Sequence, residues 1–134
     1  MTTDQANASP AVDSPAADPD CIFCRIVRDD LPSRRVFEDD DMIAFHDIRP
    51  IAAVHFLIIP RLHVVSLAHC GEAHAPLLGR MLSKASTLAR EQGLADGFRT
   101  IINTGRGGGQ EVYHLHIHIV GGPRPLGAML PREV

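Results

Sequence analysis

Apolar and polar positions change their spacing several times along this chain, and each spacing predicts an element. Residues 1–20 (MTTDQANASPAVDSPAADPD) are Ala, Asp, Pro and Ser around a single branched apolar residue, Val12, so they read as a disordered tail that cannot build a core. Folded sequence begins at Cys21. Ile22, Phe23, Ile26 and Val27 recur at helical spacing ahead of Pro32 and predict a short first helix. Residues 35–38 and 42–46 read as two strands around the turn Asp39-Asp40-Asp41, the pattern of a hairpin. The unbroken run 54–59, closed by Pro60, suits a buried central strand. From 76 to 92, Leu77, Leu78, Met81, Leu82, Ala85, Leu88 and Ala89 follow helical spacing up to a stop at Gly93. A fourth strand is predicted over 98–103, a glycine loop over 104–110 and a fifth strand over 111–120. Strands in succession, one long helix and two further strands predict an α+β domain, residues 21–134, with an antiparallel five-stranded sheet and one short and one long helix.

Composition narrows the class. The chain has 134 residues, a size that suits one core. Lys and Arg number 13 against 16 Asp and Glu, so the basic surplus of a nucleic-acid coat protein is missing. With no Trp and one Tyr, a sheet of stacking aromatics for single strands is excluded as well. No apolar run reaches the roughly 20 residues of a membrane span, and the N-terminus shows no secretory pattern. Three cysteines give no disulfide framework. A cytoplasmic protein with neither nucleic acid nor membrane as partner is expected.

Eight histidines are the unusual component. His114, His116 and His118 alternate with Leu115, Ile117 and Ile119, and the side-chain period of a strand puts all three imidazoles on one face, roughly 7 Å apart, with the apolar residues behind. Alternating histidines suit metal ligation, or a nucleophile flanked by two helpers. An oxygenase of the H-x-H type would need a carboxylate soon after, where Val120, Gly121 and Gly122 stand. The loop TGRGGGQ immediately before this strand lets main-chain N–H groups approach an anion. It is neither a P-loop nor a dinucleotide fingerprint. An anion nest beside a nucleophile describes phosphoryl chemistry.

These segments resemble a known family. GGGQEVYHLHIHIVGG, residues 107–122, resembles the signature of the histidine triad (HIT) family, and CIFCRIVRDDLPSRRVFEDDDMIAFHDIRPIAAVHFLIIPRLH, residues 21–63, resembles its N-terminal half. The match covers about residues 21–130, and Gly121-Gly122 with PRPLGAML looks most like the bacterial nucleotide-binding (Hint) branch. The resemblance implies a homodimer that binds purine nucleotides (AMP or GMP moieties) and hydrolyses nucleoside phosphoramidates and aminoacyl-adenylates, with no cofactor required for catalysis. Two alternatives stay open: a dinucleoside polyphosphate hydrolase or phosphorylase, and a nucleotide-binding interaction module with little turnover. By motif position His116 is the implied nucleophile, flanked by His114 and His118, and His55 completes a relay. Asp47 matches the ribose ligand, and Phe23, Ile26, Phe45, His46 and Ile48 match the walls around the base. Asn103, Gly109, Gln110, Glu111 and Val112 match the phosphate-side positions, with Glu111 standing where animal members place Ser. Cys21 and Cys24, with His63 and His114, match a possible structural zinc site.

Overall fold

The structure, a computed structural model, describes residues 18–131; the expected tail therefore lies outside the described residues except for its last three. Helix α1 spans Ile22–Val27, with the Cys21 sulfur capping it by accepting the Cys24 N–H at 3.3 Å. It ends five residues before Pro32, because Asp29 takes a left-handed conformation (φ 64°) that turns the chain back. Strands β1, Arg35–Glu38, and β2, Met42–His46, form the expected hairpin. Its turn is held by Asp39, whose Oδ1 accepts the N–H groups of Asp41 and Met42 at 2.8 and 2.9 Å. Strand β3, Val54–Pro60, follows. Two short 3₁₀ turns, Leu67–His69 and Glu72–His74, which the sequence pattern did not predict, lead into helix α2, Ala75–Glu91. Gly93 (φ 93°) closes α2, its N–H bonding Arg90 O while Leu94 N–H bonds Ala89 O. Strands β4, Arg99–Ile101, and β5, Ile117–Gly121, complete one antiparallel sheet of order β1-β2-β3-β5-β4.

Two expectations are corrected. Strand β4 is shorter than 98–103, and β5 begins at Ile117 rather than at 111. Pairing of β3 with β5 stops at Ile58↔Ile117, close to Pro60, which has no N–H to extend the ladder. Beyond that point the incoming chain finds other acceptors, and Leu115 N–H bonds Val64 O at 2.7 Å. Only His118 of the three alternating histidines therefore lies within a strand.

Alternation sorts the central strands onto two faces. Met42, Ala44, Phe56, Ile58, Ile117 and Ile119 pack under α2 against Leu77, Met81, Ala85, Leu88 and Ala89. Ile43, Phe45, Leu57 and Ile59 pack under α1 with Cys21, Phe23, Cys24, Ile26 and Val27. No helix among the described residues is long and apolar enough to cross a membrane.

Candidate active site

The α1 face carries the histidines, and each ring is oriented by an identifiable partner. His116, 7% exposed, has Nδ1 2.7 Å from the carbonyl oxygen of His114. A carbonyl can only accept, so Nδ1 holds the proton and Nε2 keeps a free lone pair. Burial lowers the pKa of His116, against the opposing influence of that hydrogen bond and of Asp47. Phe23 meets the His116 ring edge-on at 5.1 Å and does the same to His114 and Phe45 at 5.8 and 5.7 Å. This fixes the imidazole without competing for its nitrogen.

His118 lies 5.1 Å from His116, ring to ring, and its Nδ1 is 2.9 Å from His55 Nε2. The two come together because Leu57 is the partner of His118 in the ladder, which puts His55 diagonally across on the same face. The Ile51 N–H donates to His55 Nδ1 at 3.2 Å. That bond assigns the protons along the pair. His55 Nε2–H donates to His118 Nδ1, and Nε2 of His118 retains a proton. Asp47 Oδ2 lies 3.4 Å from His55 Nε2, while its Oδ1 accepts the Arg49 N–H at 2.7 Å. Burial is the largest cause lowering His118 to about 4, followed by repulsion from His116 and His55. Burial likewise lowers His55, partly opposed by Asp47. Asp47, His55 and His118 are close enough to share a cation. With the Nδ1 lone pair of His55 already taken by Ile51, its Nε2 is a donor, and the group is arranged as a proton path.

His114 is fully buried and belongs to a different cluster. Its Nε2 lies 2.8 Å from Pro60 O, which makes Nε2 the donor and leaves the Nδ1 lone pair 3.4 and 3.6 Å from the sulfurs of Cys21 and Cys24. His63 Nδ1 is 3.1 Å from Cys24 Sγ. These four donor atoms lie within 4.8 Å of one another. Tetrahedral zinc with ordinary Zn–S and Zn–N bonds requires S···N edges of about 3.5 Å, so the residues fit the ion. Asp18 Oδ2, 3.9 Å from His63 Nε2, and Pro60 O supply outer partners to the two imidazoles. Burial pushes the Cys24 thiol up to about 11 and His114 down to about 4. Such a site favours a cation that takes thiolates and neutral imidazoles.

The remaining sequence-predicted positions divide. Phe23, Ile26 and Phe45 are packed together under α1, whereas Ile48 is 91% exposed and stands apart from them. His46, at the end of β2, is half-buried, and its pKa is lowered by burial and then by Arg34. Asn103 is half-buried in the connection after β4. Glu111 is exposed and lines, with Asp18, Asp20, Ile22 and Tyr113, a cleft of about 300 Å³ beside the cysteines. Val112 packs against the α1 cluster.

The glycine loop differs from its expected use as a nest. Gly105 and Gly109 have φ of 68° and 80°, and a side chain at Gly108 would meet Thr104 O at 2.5 Å, so the loop is tightly folded. The N–H groups of Gly108 and Gln110 bond Gly105 O, and that of Gly109 bonds Arg106 O. Those amides are spent inside the loop. Among the described residues, the amides of Glu111, Val112 and Tyr113 make no main-chain hydrogen bond. Sequence reasoning also missed Ile51, Pro60 and Val64, which act through main-chain atoms and leave no mark in residue type.

Comparison with known proteins gives the family. Residues 20–129 match the family described as the C-terminal binding domain of the scavenger mRNA decapping enzyme. Protein HitA of Neisseria gonorrhoeae is 54% identical over 103 residues, covering 77% of this chain and 96% of the relative. The purine nucleoside phosphoramidase of Escherichia coli is 47% identical, covering 84% and 94%. An Arabidopsis thaliana protein named adenylylsulfatase HINT1 is 44% identical, covering 79% and 74%. Among solved structures, a HIT family hydrolase from Clostridium thermocellum superposes with TM-score 0.80 at 38% identity, over 84% of this chain and 99% of the other. A zinc-bound histidine triad protein from Mycobacterium smegmatis gives 0.68 at 36% identity, over 84% and 81%.

Proposed function

Since this chain belongs to the histidine triad family of nucleotide hydrolases, we propose that it cleaves the P–N bond of purine nucleoside phosphoramidates and aminoacyl-adenylates through a nucleotidyl-histidine intermediate. The observation that carries this reading is the tautomer of His116. Its Nδ1–H is committed to the His114 carbonyl, which leaves a neutral Nε2 lone pair as the nucleophile. In the first displacement Nε2 attacks phosphorus, the P–N bond breaks, and the amine leaves with a proton delivered through His118 Nε2 from the His118–His55 pair, which takes up one proton when the anionic substrate binds and is left neutral by the transfer. His55, donating to His118 Nδ1, lets that charge be shared along the pair. In the second, water attacks phosphorus, the bond to His116 breaks, and the His118–His55 pair takes the proton from water. Asp47 serves both the ribose and His55, and the unpaired amides of residues 111–113 hold the phosphate oxygens.

Cys21, Cys24, His63 and His114 are the ligands we assign to a structural zinc, which would tie α1 to the segment entering β5. Elemental analysis of protein purified without chelator tests this, and near-zero zinc with freely titratable thiols refutes it. A homodimer is consistent with β4, a three-residue edge strand preceded by exposed Phe98. A cytoplasmic setting is consistent with the three free cysteines. The decisive experiment quenches turnover of an adenosine phosphoramidate and maps the adduct by mass spectrometry. One nucleotidyl group on His116 is the expected result; an adduct elsewhere, or none, rejects the covalent route.

A further inference from the structure

Gln110 matches a phosphate-side position, yet its side chain has no N–H left to offer. It is 6% exposed, and its Nε2 donates to Val65 O at 2.8 Å and to Val112 O at 2.9 Å. Its Oε1 accepts the Gly105 N–H at 2.8 Å. One amide thus joins three segments: the connection after β3, the start of the glycine loop, and the chain entering the triad. All three partners are main-chain atoms, so what Gln110 controls is peptide orientation.

That control has a direct stereochemical consequence. In a trans peptide the C=O of one residue and the N–H of the next point in opposite directions, and no cis peptide occurs among the described residues. Holding Val112 O toward Gln110 therefore turns the Tyr113 N–H the other way. The same geometry recurs two residues later, where His114 O faces His116 and the Leu115 N–H reaches Val64 O. Gly108, Gly109 and Gln110 spend their own amides within the loop, while those of Glu111, Val112 and Tyr113 have no main-chain partner among the described residues. Fixed, unpaired N–H groups bind an anion better than mobile ones, because they need not reorganise when charge arrives.

We infer that Gln110 is a positioning residue, which sets the amides of residues 111–113 as the phosphate cradle without itself touching substrate. The inference rests on the nucleotide-hydrolase reading above. Gln110→Met keeps the length and packing of the side chain and removes every hydrogen bond. Gln110→Glu keeps the acceptor for Gly105 and removes both donors. Calorimetric affinities for AMP and adenosine separate phosphate binding from base binding. Both variants are expected to lose about tenfold or more in AMP affinity, with adenosine affinity within about twofold of wild type and a fall in kcat for the phosphoramidate. A merely structural role would weaken both ligands together. An AMP-to-adenosine ratio equal to wild type in folded variants overturns the proposal. Should neither variant fold, the amide spectrum of the wild type on adding AMP decides: the largest shifts at Glu111, Val112 and Tyr113 support the cradle, and shifts confined elsewhere overturn it. A wild type that neither prefers AMP over adenosine nor turns over phosphoramidate rejects the functional reading itself, and this proposal with it.

Discussion

The two faces of the sheet are built from the same strands and do opposite work. Under α2, Phe56, Ile58, Ile117 and Ile119 meet Met81 and Leu88 in a layer with no titratable group among its buried members. Under α1, the alternate positions of β3 and β5 put His55 and His118 near His116, His114, Cys21 and Cys24. The α2 face stabilises by removing apolar area from water, which makes it tolerant of detail and costly to hollow out. On the α1 face polar groups are buried in fixed mutual order, where each hydrogen bond decides which nitrogen is acid and which is base. Stability and chemistry are therefore separable by residue parity along a single strand. Substitutions one residue apart on β5 are expected to fail in different assays.

The largest effect is expected at His116. Removing the proposed nucleophile leaves Asp47, the residue 111–113 amides and the α2 core in place. His116→Ala should lose at least about a thousandfold in phosphoramidate turnover while still binding AMP. Retention of most of the activity would shift the chemistry to direct attack by water. Next comes the opposite face. Met81 is completely buried beneath the sheet, and Met81→Ala should cost about 2–5 kcal/mol in urea unfolding with kcat per folded molecule nearly unchanged. If kcat falls in proportion to stability, the faces are not separable.

A smaller effect is expected at His55, which in the proposed mechanism acts on the leaving group through His118. His55→Gln should slow phosphoramidates by about a hundredfold. Substrates with a leaving group that departs without a proton should be slowed far less. Equal losses for both classes would reduce His55 to packing.

The contrast between the faces also explains what could be read from sequence. Spacing found both helices, the hairpin and the central strand because those elements are held by apolar periodicity, which is written in residue type. It extended β5 back to residue 111 because alternation continues through His114 and His116, although the ladder stops near Pro60. It found the donor set Cys21, Cys24, His63 and His114, and the diagonal pair His55 and His118, through resemblance rather than physics. The partners that orient those rings are Ile51 N–H, Pro60 O and His114 O, and no side-chain identity announces a main-chain atom. The glycine loop misled for a related reason. Glycine permits tight turns, and here the turns consume the amides of Gly108 and Gly109, two of those that the composition offers to an anion.

The smallest effect concerns acid, and its sign follows from burial. His55, His116 and His118 all have pKa values lowered from the ordinary 6.5, His118 to about 4, with burial the largest cause in each. The folded protein therefore binds fewer protons than the unfolded chain between pH 6.5 and about 4. Stability tied to these groups is fully present above 6.5 and is lost as pH falls through that window. Between pH 7 and pH 6 the loss is at most about 1 kcal/mol per histidine, and less for partly exposed His118, where water screens the charge. The α2 face contributes nothing to this slope, since its buried members do not titrate. Urea midpoints at the two pH values should differ less in His118→Gln than in wild type, whereas Met81→Ala should lower both midpoints and keep the wild-type difference. An unchanged pH difference in His118→Gln would show that the acid response does not come from His118.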